Sequence, residues 1–507
     1  MSVTGGEELY SAGNLSVMQI RSGRSKWRLW LARTGTALVA SIVLSDAAWA
    51  APDKGDTAFV MLATVLVLLM TVPGLALFYC GLVRTKNVLA TMMQVFMTVA
   101  VVCLIWIIYG YSLAFTAGSG TGPFVGDLSK AFLIGVTPDS TAATFSPGVY
   151  IPEFAYIWFQ MMFAAITPAL IVGAFAERMR FAAVMLFMVL WVTFVYCPIA
   201  HMVWYWPGPD ALIDAARRIE LATPEARAAA EADLRRLIAT SGLAFQWGVL
   251  DFAGGTVVHV NAGIAGLVGA IITGPRSGYG REPMPPHSLT LSMVGAALLW
   301  VGWFGFNCGS ALEANGTAAL AMGNTFGAAA AAAVAWTSVE WLTKGKPTSL
   351  GFITGLVIGL VAVTPASGFA GPMGSVALGI VAGLTGFLAC TWLKRILGYD
   401  DSLDVFGVHC VGGILGALAT GLLVAPALGG TGVADYVTKP GQITVVYDLA
   451  SQMAAQVKTV AITLVWSGAL SAIFFRLIDL TIGLRPIREK ERTGLDLTDH
   501  GERGYHF

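Results

Sequence analysis

The chain has 507 residues, of which 56% are hydrophobic and 12% are charged, and its 30 basic side chains balance its 30 acidic ones. This composition excludes an ordinary soluble domain, and the zero net charge does not suggest a nucleic-acid partner. The six cysteines have no CxxC spacing, so neither a disulfide framework nor a zinc site is indicated. We therefore expect an all-α polytopic membrane protein without a cofactor.

Residues 1–50 are typical of a cleaved signal peptide. Basic "RSGRSKWRLWLAR" precedes apolar "TGTALVASIVL" and then "SDAAWA", a small-residue cleavage pattern that ends at Ala50. The mature chain would begin at Ala51, outside. Met18 is an alternative start of a more ordinary leader, and an uncleaved first span is the alternative interpretation of the whole segment.

After the leader, eleven apolar runs are long enough to cross about 30 Å of hydrocarbon. They cover 57–83, 88–115, 154–176, 181–201, 252–273, 288–312, 314–339, 348–366, 369–393, 405–427 and 446–484. The last run is too long to stand upright, so we expect a strongly tilted helix or one that extends into water.

The basic residues of the short connections predict the orientation, because Lys and Arg favour the cytoplasmic side. If the N-terminus lies outside and the C-terminus in the cytoplasm, every short basic loop falls on the cytoplasmic side. We therefore expect this orientation for a multi-pass protein of the cell (inner or plasma) membrane. The exception is the connection 206–246, which carries five Arg and balancing acids. It is typical of an extracellular helical hairpin, whose second helix opens with Thr223 as N-cap and Pro224 at N1 and stops near Gly242.

Five runs precede the loop 274–287 and five follow it before the last one, which suggests a 5+5 inverted repeat with a site at its interface. Asp251 precedes His259 in the fifth run, and Asp404 precedes His409 in the tenth run, which starts from the opposite side. His259 lies roughly 12 Å along a helix from Asp251, and His409 roughly 7 Å from Asp404. The two histidines could therefore meet near the midplane.

Away from the ends of the first ten runs, His259 and His409 are the only side chains of the His, Asp, Glu, Lys and Arg types. An ionisable residue inside a membrane span is costly to bury, so it is by default a candidate functional residue. A neutral pair that ties two helices together is the plain alternative, but the mirrored positions favour a pore lining that handles protons or hydrogen bonds. Two imidazoles without further convergent ligands do not favour a metal.

Several motifs in order resemble the ammonium transporter family, on its bacterial and plant side. They are "AFAERMRF", "PIAHMVW", "DFAGGTVVHVNAGIAGLVGA", "GWFGFNCGSA" and "DVFGVHCVGG". The likeness runs from about residue 52 to the C-terminus, and the 206–246 insertion is its main interruption. The resemblance implies ammonium or ammonia as the substrate and a transporter rather than an enzyme. A membrane hydrolase would need a Ser or Cys nucleophile with a paired base, and we find none.

The resemblance also implies roles for individual residues. The outer ammonium site falls on Phe163, Trp204, Ser310 and Asp251. A gate falls on Phe163 and Phe306 with Phe159 at its mouth, and Trp303 lines the lumen beside His259 and His409. Aromatic faces attract a small cation and a hydroxyl oxygen accepts one of its N–H groups. Taken one by one, these residues could equally be an interfacial tryptophan, helix packing and a backbone-bonded hydroxyl.

In the implied mechanism, ammonium binds outside, loses a proton near the gate, crosses as ammonia along the histidine pair and is reprotonated inside. We expect net charge transfer; an electroneutral ammonia channel and an ammonium sensor with little transport are the alternatives. Asp251 is either the base that takes the proton or a fixed charge that caps the fifth helix, and the two are compatible.

These predictions divide the chain into a leader (1–50), a membrane domain (51–484) and a cytoplasmic tail (485–507). By composition the tail is a solvated terminus. Its "EKERTGLDLTDHGERGY" resembles the family's regulatory tail, which implies a homotrimer in which the tail packs beneath the neighbouring subunit and a PII-type regulatory protein as partner.

Overall fold

The structure is a computed structural model, and it describes residues 51–118, 122–439 and 444–506. Within these residues eleven helices are long and apolar enough to cross a membrane, as the sequence predicts. They run Lys54–Leu82, Thr85–Phe115, Glu153–Phe175, Phe181–Trp204, Gly255–Thr273, Leu289–Gly309, Gly316–Lys344, Ser349–Ala366, Pro372–Leu397, Phe406–Leu423 and Leu449–Thr481. We refer to them as the first to the eleventh span. The predicted signal peptide lies outside the described residues.

The last span is a single α-helix of 33 residues whose N-cap is Asp448, and the Asp448 carboxylate accepts the N–H of Ser451 at 2.8 Å. At 1.5 Å per residue this helix is about 50 Å long, well beyond the hydrocarbon thickness. Its length therefore agrees with the expectation of a helix that tilts or extends into water.

The remaining helices and strands are short and lie in the connections. Two strand pairs are antiparallel, Thr141–Ala143 with Tyr150–Pro152 and Val433–Asp435 with Thr444–Val446. The insertion contains the helices Pro209–Leu221, Pro224–Ala239 and Leu243–Gln246. Thr223 occupies the N-cap position of the second of these, but its hydroxyl makes no capping hydrogen bond. The other short elements are Ala131–Leu133, Pro426–Leu428, Arg488–Thr493 and Leu495–His500.

The tail is folded against the start of the second span of its own chain, contrary to what its polar composition suggests. Leu495 is 1% exposed, and its N–H donates to the Asn87 side chain at 2.9 Å. Asp496 accepts the Ala90 N–H at 2.8 Å, and the Glu491 carboxylate pairs with Arg485 at 2.7 Å. Composition missed this packing because a few well-placed polar side chains, rather than an apolar face, satisfy the exposed backbone groups at the start of the second span.

Glycines allow the fifth and tenth spans to cross in close contact. A Cβ atom at Gly263 would lie 2.3 Å from the Cys410 nitrogen, and one at Gly413 would lie 3.1 Å from the His259 Cβ. Small residues of this kind let helix backbones approach where lipid supplies no hydrophobic drive for association. The crossing brings together the two segments that carry the histidines.

Candidate functional site

The two membrane histidines contact each other directly. The His259 and His409 Nδ1 atoms are 3.2 Å apart, the ring centroids are 5.3 Å apart, and both residues are buried. Each lies in a π-helical segment, Gly255–Val260 or Phe406–Val411, at the beginning of its span. One hydrogen is shared between the two Nδ1 atoms, so one ring donates and the other accepts there. The His259 Nε2 atom is buried and has no hydrogen-bond partner.

Trp303 flanks the pair. Its ring stacks on His259 at 5.4 Å between centroids, and its Nε1–H donates to the Thr364 hydroxyl at 2.9 Å. The Thr364 hydroxyl in turn donates to the Leu360 carbonyl at 2.8 Å. The eighth span therefore fixes the orientation of the indole that covers one side of His259.

Two stacked phenyl rings lie next to His259. The Phe163 and Phe306 centroids are 4.2 Å apart with an interplanar angle of 26°, and both side chains are buried. Phe306 is 6.2 Å from the His259 ring, and Phe159 packs edge-on against Phe163 at 5.0 Å. The surroundings of His259 on this side are therefore aromatic and apolar.

Trp204 and Ser310 lie on the far side of these rings from the histidines. The Trp204 ring meets Phe163 at 5.6 Å and 89°, and its Nε1–H donates to the Asp251 carbonyl at 2.8 Å. The Ser310 hydroxyl donates to the Phe306 carbonyl at 2.8 Å. Because that bond uses the hydroxyl proton, the Ser310 oxygen keeps lone pairs that can accept an N–H group.

The Asp251 carboxylate caps the start of the fifth span. It accepts the N–H groups of Gly254 at 3.1 Å, Gly255 at 2.5 Å, Thr256 at 2.8 Å and Val257 at 3.2 Å, together with the Thr256 hydroxyl. Burial raises the pKa of Asp251, and these hydrogen bonds oppose that rise. Ion pairs among the described residues do not include Asp251. Asp251 is a candidate proton acceptor and a candidate helix cap. The hydrogen bonds described above account for its role as a helix cap.

At the tenth span, the aspartate whose carboxylate caps the helix is Asp401, not the Asp404 that the sequence pairs with His409. The Asp401 carboxylate accepts the Phe406 N–H at 2.7 Å and is fully buried, whereas Asp404 forms an ion pair with Lys394 at 2.7 Å. Asp401 precedes His409 by eight residues, and Asp251 precedes His259 by eight residues. That equal spacing was the signal in the sequence that could have identified Asp401. Asp404 lies too close in sequence to Phe406, where the π-helical segment begins, for its carboxylate to cap that segment, and its backbone φ is left-handed at 59°.

Two cavities adjoin the histidines and lead toward Arg276, and we call this side of the site the Arg276 end. A narrow cavity of about 10 Å³ is lined by both histidines and by Trp303, Tyr79 and apolar side chains. A larger cavity of about 180 Å³ shares Phe78, Tyr79, Val357 and His409 with it and reaches Arg276 and Asp404. His409 therefore borders both the narrow part of the path and the wide one.

Compensated charges surround the wide end. Glu177 pairs with Arg84 at 2.9 Å and with Arg276 at 3.1 Å, and Arg276 also pairs with Asp400 at 2.8 Å. Burial would raise the pKa of Glu177, but the hydrogen bonds from Arg84 and the charge of Arg276 outweigh it and lower the pKa. Asp400 follows the same pattern with Arg276 and Arg178. Sequence reasoning used these arginines only as topology signals and missed the network.

The structure thus brings all nine predicted site residues into one chain of contacts between the Trp204 end and the Arg276 end. Across the described residues, no group of three or more His, Cys, Asp or Glu side chains is placed to hold a metal ion. The fold and this site define the class of protein: a polytopic helical membrane protein with a buried, largely apolar site around a histidine pair.

Comparison with known proteins gives the family. The model of the Ammonium Transporter Family matches residues 58–505, and the chain belongs to this family. It is 42% identical over 456 residues to an ammonium transporter of Bacillus subtilis (strain 168), which covers 89% of this chain and 99% of that protein. It is 35% identical to the ammonium transporter Amt1 of Archaeoglobus fulgidus over 89% of this chain and all of that protein.

Solved structures agree with the family. The crystal structure of Saccharomyces cerevisiae Mep2 matches with a TM-score of 0.70 and 30% identity, and covers 87% of this chain and 89% of that one. A sensor Amt protein matches with a TM-score of 0.71, 88% coverage of this chain and 98% of that one, but at 24% identity, so this likeness concerns the fold alone.

Proposed function

We propose that this protein takes up ammonium across the plasma membrane with net movement of charge. The observation that carries the proposal is the stacked Phe163–Phe306 pair directly against the hydrogen-bonded His259–His409 pair. In a member of the ammonium transporter family, this order of groups supports a cation site, a dry gate and a polar path in series. The Trp204 end faces outward, as the positions of the basic loops indicate.

Recruitment rests on three features of the Trp204 end. The Trp204 and Phe163 rings offer aromatic faces to a cation, which contributes about 0.5–2 kcal/mol depending on desolvation. The Ser310 oxygen has free lone pairs for one N–H. The buried Asp251 carboxylate has no cationic side chain as a partner among the described residues, so its negative charge favours a cation nearby.

Selection rests on desolvation at the gate. An ion that is stripped of water between Phe163 and Phe306 and left unpaired is strongly disfavoured, whereas neutral ammonia passes more easily. Ammonium can give up a proton there, and potassium cannot. The reaction is the dissociation of ammonium into ammonia and a proton, followed by the reverse step at the Arg276 end.

Conduction rests on the histidine pair. Each neutral imidazole has one donor and one acceptor nitrogen, so the pair can hydrogen-bond ammonia and pass a proton along the Nδ1–Nδ1 contact. The proton then crosses beside the ammonia, and each turnover moves one positive charge. At 100 mV that charge gains about 2.3 kcal/mol, which drives accumulation.

The family resemblance adds two proposed interactions. The protein assembles as a homotrimer, and the tail after Arg485 meets a PII-type regulatory protein at the cytoplasmic face. The ordered contacts of Leu495 and Asp496 with the start of the second span support a tail with a defined shape for such a partner.

Reconstitution into proteoliposomes on a solid-supported membrane tests the proposal. An ammonium concentration jump should evoke a saturable current, and an equal potassium jump should evoke none. A change of internal pH without current would replace the proposal with an electroneutral ammonia channel. Ammonium binding without either signal would replace it with a sensor. The variant Asp210→Ala is the matched control, because Asp210 is a carboxylate of the insertion that bonds Tyr150 and Gly148 rather than the path.

A further inference from the structure

The last span holds the short segment that leads into the fifth span. Gln456 is 1% exposed, and its side-chain amide pairs with the backbone of Leu250 in both directions: Oε1 accepts the N–H at 2.9 Å and Nε2 donates to the carbonyl at 2.9 Å. Nε2 also donates to the Ala417 carbonyl at 2.6 Å, and Oε1 accepts a bond from Gln452 at 3.3 Å. Two donors and two acceptor positions are all that a glutamine amide has, so Gln456 is fully engaged.

Leu250 is the residue immediately before Asp251, and Asp251 connects to two parts of the site. Its carbonyl accepts the Trp204 indole N–H at 2.8 Å, and its carboxylate caps the segment that carries His259. A shift of Leu250 would therefore move both the Trp204 ring and the start of the fifth span.

The insertion restrains the beginning of this segment. The backbone N–H groups of Gly248 and Val249 bond to carbonyls of the insertion helix Leu243–Gln246, at 2.8 and 3.2 Å. At Leu250 the restraint comes from the eleventh span through Gln456, and Gln452 of the same span adds a bond of 3.0 Å to the Gly248 carbonyl.

We propose that Gln456 is a positioning residue for the outer ammonium site: by holding Leu250 it fixes Trp204 and Asp251 relative to the pore. The inference rests on the proposed function of that site. It predicts a defect in substrate affinity, because Gln456 acts on the geometry of the recruiting groups and touches neither the gate nor the histidine pair.

The test compares Gln456→Met with Thr459→Val in proteoliposomes. Methionine keeps the length and approximate volume of glutamine and removes its hydrogen bonds. Thr459 lies on the same helix and is also buried, but its hydroxyl bonds only the Ala455 carbonyl of its own helix, at 2.9 Å. Gln456→Met should raise the half-saturating ammonium concentration about tenfold and change the maximal current per folded protein less than about twofold. Thr459→Val should leave the half-saturating concentration unchanged.

A double-mutant cycle supplies the readout that a purely structural role would not move. Trp204→Phe removes the indole N–H that bonds Asp251, and it should raise the half-saturating concentration by itself. If Gln456 acts through this bond, the combined variant should be weaker than wild type by clearly less than the product of the single effects. If Gln456→Met does not fold, Gln456→Glu retains an oxygen for the Leu250 N–H, and it should show an increase of about threefold.

The outcomes separate the two proposals. A wild-type protein that gives no ammonium current and no ammonium-driven pH change overturns the proposed function. A wild-type protein with a saturable current, together with a Gln456→Met variant of unchanged half-saturating concentration, overturns the positioning role alone. Equal losses of maximal current in Gln456→Met and Thr459→Val, with affinity intact, also overturn it, because they would indicate general destabilisation of the eleventh span.

Discussion

The fifth and tenth spans begin at opposite ends of the site. Each is capped by a buried aspartate, but the two aspartates have different surroundings. In each, a buried aspartate eight residues before the histidine accepts backbone N–H groups of a π-helical segment. Asp251 accepts four backbone N–H groups and the Thr256 hydroxyl, and it has no ion-pair partner among the described residues. Asp401 makes one at 2.7 Å and lies beside Lys394, whose ammonium group donates to the Asp401 carbonyl and to Asp404.

This difference concerns charge rather than shape. At the Arg276 end the buried carboxylates of Glu177, Asp400 and Glu491 are paired with arginines, and Lys394 lies beside Asp401, so the charge of these groups is balanced. At the Trp204 end the Asp251 carboxylate is held by backbone amides and forms no ion pair among the described residues. A carboxylate in that state favours a transient cation, whereas a carboxylate beside lysine has less negative potential to offer.

The largest expected effect is the loss of Asp251. Asp251→Ala leaves the amides of Thr256 and its neighbours without their buried acceptor and removes the charge beside Trp204, so the ammonium-evoked current should fall by at least about 100-fold. The measurement is the current on a solid-supported membrane at matched protein density. Retention of more than about half of the current in Asp251→Ala would contradict the proposed recruitment by Asp251.

Matched asparagine variants sharpen the comparison of the two aspartates. Asp251→Asn should lower the ammonium current about tenfold, because asparagine can still cap a helix but carries no charge. Asp401→Asn should lower it less than about threefold, since Lys394 already offsets the charge there. The two peak currents at saturating ammonium decide the matter, and equal losses would mean that both aspartates act only as helix caps.

Alanine variants of the histidines test which end controls selection. His259→Ala removes the ring that lies against the stacked phenyl groups, and water can then enter behind the gate. The preference for ammonium over potassium should fall about tenfold, compared with about threefold for His409→Ala, which borders the wide cavity. Potassium-evoked currents provide the measurement. His287→Ala is the control, because His287 bonds the Val83 carbonyl and Tyr505 away from the path.

The smallest effect concerns acid stability at the Arg276 end. The folded-state pKa of Glu177 is lowered, so its ion pairs stabilise the fold above the ordinary glutamate pKa of about 4.3 and lose that contribution as the pH falls through the lower, folded-state value. Glu177→Gln should cost about 3 kcal/mol at pH 7 and progressively less below about pH 4. Thermal unfolding of the wild type and of Glu177→Gln at pH 7 and about pH 3.5 measures this difference in stability. Glu220→Gln, at an exposed position of the insertion that takes part in no ion pair of the described residues, should show no such difference.

The span pattern was predictable because each apolar run carries its own signal for a helix of membrane length. The two histidines were predictable as a pair for the same reason, since an ionisable group inside an apolar run stands out. Asp401, the capping aspartate of the tenth span, was missed, because Asp404 is nearer to His409 in the sequence and the equal spacing of eight residues was not used. The prediction of a solvated tail was wrong, because amino-acid composition gives no information on specific hydrogen bonds such as those of Leu495 and Asp496.

The sequence by itself determined the number of spans, their bounds to within a few residues and the identity of the two central imidazoles, since hydrophobic length and an isolated polar residue are local properties. Only the tertiary structure decided that their Nδ1 atoms face each other at 3.2 Å, that Phe163 and Phe306 stack beside them, and that Gln456 holds the segment before Asp251. These contacts join residues far apart in the chain. Their geometry depends on how closely the helices cross, which glycines such as Gly263 permit but do not specify.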